Sequence, residues 1–290
     1  MSKQAEHLQE RVAAASIVAG EPEDKKAKLF CVTSGKGGVG KTSFSVNFAL
    51  ALAEYGKKTV IIDADFGFSN GNIMLGKNSQ YSLEHVISGE KTLEDVIEGC
   101  FPGVWYISGG SGVAELLALK EEQMEKIMAQ LIGLEQEMDY ILFDTGAGLN
   151  PNILRMISAS DETILVITPE PTSIIDSYVI LKTALEENGQ CKISALINRV
   201  PEQNAQLTFS NFSAVVKKHL DYDVHMLGFL PEDTRMSQSI SAMVPYIIQY
   251  PKSTVSGQLR KIAQEIAFQE VKEPPRGLKG FFSRLIRRSR

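Results

Sequence analysis

Long apolar runs are missing from this 290-residue chain: nowhere do about 18 apolar residues follow one another, the length a membrane-spanning helix needs. The first twenty residues also lack a basic segment leading into an apolar stretch, which argues against a secretory signal. Cysteine is scarce. Cys31, Cys100 and Cys191 are far apart and odd in number, which argues against a disulfide framework or a zinc site and fits a reducing cytosol. His7, His85, His219 and His225 are equally scattered and offer no metal-ligand spacing. No internal repeat and no low-complexity tract is present.

What is there is enough for a large core. Hydrophobic residues make up 43% of the chain, and the length suits one large α/β domain or two small ones. The net charge of −5 is unevenly spread. Six basic residues and no acidic one lie between Arg276 and Arg290, so residues 1–275 carry 24 basic against 35 acidic side chains, a net −11. An acidic body with a basic tail points to a partner for the tail and away from direct nucleic-acid binding.

From Leu29 onward, short β-branched runs alternate with helical patterns: 29–34, 59–65, 104–110, 140–146, 163–169, 193–199 and 224–231. Continuous apolar strands separated by helices predict an α/β fold, a mostly parallel twisted sheet with helices on both faces and ligands at the carboxyl ends of the strands. The expected organisation is an N-terminal extension and linker at 1–28, a nucleotide-binding domain at 29–272, and a linker with a terminal helix at 273–290, set off by Pro274-Pro275.

GKGGVGKT at 35–42 follows the first strand and precedes a helical pattern, which is the context a phosphate loop requires. Gly35, Gly37, Gly38 and Gly40 let the backbone turn tightly, so that amides from Gly35 through Val39 to Ser43 point at phosphate oxygens beside the positive end of a helix. Lys41 is expected to reach the β- and γ-phosphates and Thr42 to hold Mg²⁺. ILFDTGAGL at 141–149 is an apolar strand ending in an acid and two glycines. Asp144 fits a carboxylate that holds Mg²⁺ through water, and Thr145, Gly146 and Gly148 fit a loop that senses the γ-phosphate. No NKxD-type guanine reader is present, which favours ATP over GTP.

KGGVGKT with its early lysine resembles the deviant Walker A signature of the MinD/ParA family of P-loop ATPases. The resemblance implies an ATP-dependent homodimer in which Lys36 reaches the partner's nucleotide. It places Asp65, in DADFGFSN at 63–70, where it orients the attacking water, with Asn70 closing the site and Asp63 supporting the metal. A strand-terminal Asp also serves as a helix cap, so the DxD pair alone does not decide this role. Asn198, in LINR, is implied to hydrogen-bond adenine, and Pro231, Glu232 and Asp233 to pack on the base through their backbone; the bland alternatives are a strand-end cap and a turn.

The two ends narrow the resemblance. Gly277 to Arg290 sets Leu278, Phe281, Phe282, Leu285 and Ile286 on one helical face and basic residues on the others, the pattern of a helix that lies in an anionic lipid interface. A helix docked on the body and a nucleic-acid tail are the alternatives. In Ser2–Val12, Gln4, Ala5 and Leu8 match the DQAxxLR helix of the flagellar-number regulators FlhG (FleN/YlxH), with Lys3 and Gln9 where that motif has Asp and Arg. The resemblance implies a cytoplasmic, peripherally membrane-associated ATPase, slow and partner-stimulated, that meets the FlhF GTPase, flagellar switch-ring components and a flagellar transcriptional activator. A MinD-type division-site ATPase, which usually begins almost at its first strand, and a nucleotide-gated scaffold with little turnover are the alternatives.

Overall fold

A computed structural model describes residues 26–65, 71–77, 79–110, 130–269 and 274–287, the side chains of 285–287 excepted. Eight strands form one sheet: β1 (Lys28–Ser34), β2 (Thr59–Ala64), β3 (Ile97–Phe101), β4 (Val104–Ile107), β5 (Tyr140–Ala147), β6 (Glu162–Ile167), β7 (Ile193–Asn198) and β8 (His225–Leu230). Their spatial order is β3-β4-β2-β5-β1-β6-β7-β8. All pairings are parallel except β3 with β4.

The helices are α1 (Lys41–Glu54), α2 (Gly71–Met74), α3 (Leu83–Ile87), α4 (Leu93–Val96), α5 (130–137), α6 (Pro151–Ala159), α7 (Pro171–Glu187), α8 (Glu202–Leu220), α9 (Arg235–Ser241), α10 (Tyr246–Gln249), α11 (Thr254–Phe268) and α12 (Gly277–Arg287). They cover both faces, so successive strand residues enter opposite cores. Leu29 and Cys31 belong to one core with α6, α7 and α8, and Phe30 and Val32 to the other with α1 and α11. This two-sided burial is why the strands read as unbroken apolar runs. α1 is itself wrapped by β1, β2, β5 and α11, and Phe44 stacks on Phe48 at 5.0 Å within it.

The strand β3 escapes the sequence reading. IEGCF is short and half-buried at the sheet edge, and it pairs antiparallel with β4 through the Pro102-Gly103 turn. A weak apolar pattern is what an edge strand with one covered side displays.

α12 was expected as a separate terminal element; it packs on the body instead. Leu278, Phe281 and Phe282 are buried in the core beneath β5, α5 and α6, and Phe281 stacks on Phe143 with ring centroids 4.7 Å apart. Two carboxylates hold its first turn: Asp161 accepts from the Arg276 amide at 3.0 Å and Glu135 from the Leu278 amide at 2.9 Å. Leu278, Phe281 and Phe282 therefore do not meet lipid in this conformation. The leader at 1–25, including Ser2–Val12, lies outside the described residues.

Candidate functional site

The site sits where the sheet's carboxyl ends converge, as a doubly covered parallel sheet dictates. β1 ends at Ser34, the loop runs from Gly35 to Gly40, and α1 begins at Lys41. Gly35 presses on the backbone of Asp176 and Ser177 in α7, leaving no room for a side chain. Gly40 takes a left-handed conformation with φ 99° and lies against Asn198. Gly37 and Gly38 face open space on the loop's outer side, and Val39 is buried beneath it.

Lys41 is buried and donates to Ser34 Oγ at 3.1 Å; that hydroxyl in turn donates to the Lys36 carbonyl at 2.8 Å. Burial pulls the Lys41 ammonium below its ordinary range, and the charges of Asp144 and Asp65 oppose that shift. A lysine held this way between two acids under a glycine-rich loop is poised for an anion carrying several charges.

Asp63 and Asp144 are register partners on adjacent strands, both buried. Asp144 Oδ1 accepts from Ser45 Oγ at 3.1 Å, and the Thr42 hydroxyl lies near enough to this carboxylate to favour its charged form. Burial and the neighbouring Asp63 push the Asp144 carboxyl up to about 7, against the pull of Thr42, Lys41 and Ser45. Two facing carboxylates that resist joint ionisation, with a hydroxyl beside them, fit a divalent cation: Mg²⁺ takes one or two carboxylates and leaves its other positions to water and phosphate. Ser45 is one turn beyond the loop motif, and its role was not legible from the motif.

Asp65 donates its amide to Asp63 Oδ1 at 3.1 Å, and its own Oδ1 lies 3.0 Å from the position a Cβ on Gly146 would take. The two expected switch segments thus touch at Asp65 and Gly146. Thr145 turns its hydroxyl inward to the Val32 carbonyl at 3.0 Å, and the Gly148 amide donates to the Ser34 carbonyl at 3.0 Å. Residues 145–147, expected in a loop, continue β5 instead, and Gly148 just beyond it is a tether to the end of β1, since its amide is already engaged there. Asn70 lies outside the described residues.

Lys36 points along its own subunit. Its ammonium meets Glu170 at 2.7 Å and Thr172 Oγ1 at 3.3 Å, at the start of α7. The lysine holds the Glu170 carboxyl below its usual range. The partner Glu170 carries no sequence signal of its own beyond preceding Pro171 at a helix start.

On the far side of the loop a cavity of about 270 Å³ opens between Gly40, Phe44, Asn198, Leu230, Pro231 and Met236. Ser43 and Glu232 also line it. Asn198 donates Nδ2 to the Val39 carbonyl at 2.7 Å, which ties the end of β7 to the loop. Asp233 is saturated by Arg235, with Nε at 2.9 Å and Nη2 at 2.6 Å, and by the Tyr246 hydroxyl at 2.7 Å. Its carboxylate, held far below the usual range by those donors, lines the cavity wall.

Comparisons with known proteins give the family and the fold. Residues 25–267 match the ParA family model, described as NUBPL iron-transfer P-loop NTPase. The chain belongs to the ParA/MinD family of P-loop NTPases. Among curated ParA/MinD relatives, it is 30% identical to the antiactivator FleN of Pseudomonas aeruginosa over 89% of this chain and 93% of that one. It is 28% identical to the flagellum site-determining protein YlxH of Helicobacter pylori over 90% of each. Among solved structures, it is similar to a chain of the MinC:MinD cell division protein complex of Aquifex aeolicus, with TM-score 0.70, 24% identity and coverage of 85% and 98%. MinD of Pyrococcus horikoshii in complex with Mg-ADP matches with TM-score 0.64, 25% identity and coverage of 83% and 96%.

Proposed function

We propose that the protein is an ATP-dependent dimerising ATPase whose nucleotide state governs a reversible hold on the membrane, and that it regulates the number or placement of flagella. The observation that carries this reading is the stacking of Phe281 on Phe143. Phe143 immediately precedes Asp144, and α12 packs along α6, the helix that follows the end of β5. A shift of residues 145–148 on binding or losing a γ-phosphate reaches the seat of the amphipathic helix by direct packing.

In this mechanism the loop amides and Lys41 hold the phosphates, and Thr42, Asp63 and Asp144 would hold Mg²⁺. Bound there, the ion would supply positive charge against the negative charge that develops on transfer. Asp65 aligns water for in-line attack, which is positioning more than chemistry and gives a slow basal rate. Lys36 leaves Glu170 and crosses to the partner's nucleotide. With Nδ2 committed to Val39, the Asn198 Oδ1 is the acceptor for an exocyclic amino group, which adenine offers where guanine has a carbonyl.

α12 released from its groove presents an apolar face flanked by Lys279 and Arg284, and two such helices on a dimer gain from effective concentration on an anionic bilayer. Among the described residues no helix is long and apolar enough to cross a membrane, which fits attachment at the surface. The flagellar role rests on the likeness to FleN and YlxH, with the FlhF GTPase, switch-ring components and a flagellar transcriptional activator as the partners it implies. A division-site role shares the same site chemistry and is favoured by the likeness to MinD.

The test is cosedimentation with anionic liposomes in Mg-ATP and in Mg-ADP, with phosphate release measured in parallel. The proposal expects lipid binding in ATP and turnover stimulated by lipid or partner. Equal lipid binding in both nucleotides contradicts the switch, and absent turnover leaves a nucleotide-gated scaffold.

A further inference from the structure

Tyr106 lies on β4, outside every motif in the sequence, and is fully buried. Its hydroxyl donates to Asp63 Oδ2 at 2.7 Å, while the other oxygen of that carboxylate accepts the Asp65 amide at 3.1 Å. The phenol therefore grips one end of the group whose other end grips the backbone of Asp65. Its ring does a second thing. It fills the space above Gly71, where a Cβ would come within 2.7 Å of Cε2 and 3.2 Å of the hydroxyl. Asp63–Asp65 enter the segment between β2 and α2 and Gly71 leaves it, so one side chain stands under both ends.

We propose that Tyr106 is a positioning residue for hydrolysis: through Asp63 it fixes the backbone of Asp65, and through Gly71 it fixes where α2 begins. This deepens the ATPase reading given above and rests on it for the step that Asp65 serves. The physical reason is directional. A carboxylate bonded at one oxygen rotates about its Cβ–Cγ axis; bonded at both, by a phenol from a neighbouring strand and by an amide two residues on, it has a single orientation. A tyrosine suits this place because its ring spans from β4 to the strand end while its hydroxyl keeps a polar tip for the carboxylate. Since Asp65 lies against Gly146, an error in its backbone is passed straight to the approach between the two switch segments.

The variant Tyr106→Phe keeps the ring and removes the hydroxyl. It is expected to lower kcat at saturating Mg-ATP by about tenfold while nucleotide affinity stays within about twofold, the split that marks lost positioning rather than lost binding. Hydrogen exchange at the Asp65 amide is expected to quicken in the same variant. Gly71→Ala keeps the hydroxyl, pushes the ring, and is expected to give the same kcat-selective loss, so it decides the matter if Tyr106→Phe fails to fold. Unchanged kcat together with unchanged Asp65 protection overturns the role. Equal losses in kcat and affinity overturn it as well, because they make Tyr106 a general support of the pocket. A wild-type protein without turnover under any condition refutes the ATPase reading, and the exchange at Asp65, which needs no turnover, still decides Tyr106.

Discussion

Asp144 stands between two demands: burial and the facing Asp63 favour its neutral form, whereas a bound cation needs the carboxylate. Raised from 3.8 to about 7, it keeps its proton over a range where the unfolded chain has lost it. Its contribution to stability is therefore complete below about pH 4 and is lost as pH rises toward about 7. In metal-free, nucleotide-free protein, the stability difference between wild type and Asp144→Asn should fall across that window, read from denaturant midpoints; a flat difference contradicts the assignment. Lys36 gives a second prediction at this scale. Its exposed ion pair with Glu170 contributes little to the monomer, so Lys36→Ala should leave the melting temperature and nucleotide binding nearly unchanged while the ATP dimer is lost. Light scattering that finds the dimer intact removes Lys36 from the interface. That the loop glycines, Lys41, Thr42 and Asp144 gather at neighbouring strand ends was legible from strand–loop–helix spacing, whereas Asp63, Asp65 and Asn198 were singled out by the family resemblance. Tyr106, Ser45 and Glu170 were not, since each acts from a neighbouring element across the sheet or loop, a relation that spacing along one segment does not encode.

At the scale of elements, α12 is the part whose chemistry was readable and whose location was not. An amphipathic stripe demands that its apolar face be covered without saying by what, and lipid and a protein groove satisfy it equally. Phe281, Phe282 and Leu278 take the groove, and the Asp161 and Glu135 carboxylates satisfy amides that a helix start leaves open. Phe143→Ala removes the floor of that groove while leaving the lipid-facing residues of α12 intact. Truncating a buried phenylalanine costs about 3–5 kcal/mol, enough to free a short helix. The variant should bind anionic liposomes without ATP, whereas the same variant cut after Pro275 should not bind at all; ATP-dependent binding unchanged in Phe143→Ala would show that docking does not restrain the helix. The edge strand β3 was missed for the reason that its pattern is half-exposed, and its pairing with β4 depends on a two-residue turn rather than on apolar periodicity.

For the whole molecule, alternation of strand and helix announced a parallel sheet, but the strand order follows from which crossovers pack together, which a linear pattern leaves undetermined. The phosphate loop at the end of β1, between β5 and β6, is the point from which the molecule is organised: Asp144 stands on one side, α7 with Glu170 on another, and the Asn198 cavity behind. The acidic body and basic tail suit the proposed switch, since a net −11 over residues 1–275 would keep the body off an anionic surface until the tail is delivered to it. All of this turns on a triphosphate joining two copies. Sedimentation of Asp65→Ala protein in saturating Mg-ATP tests it most directly, because with Asp65 as the water-aligning residue that variant should bind ATP without consuming it: the account predicts a stable dimer that returns to monomer in Mg-ADP, and monomers in both nucleotides would contradict it.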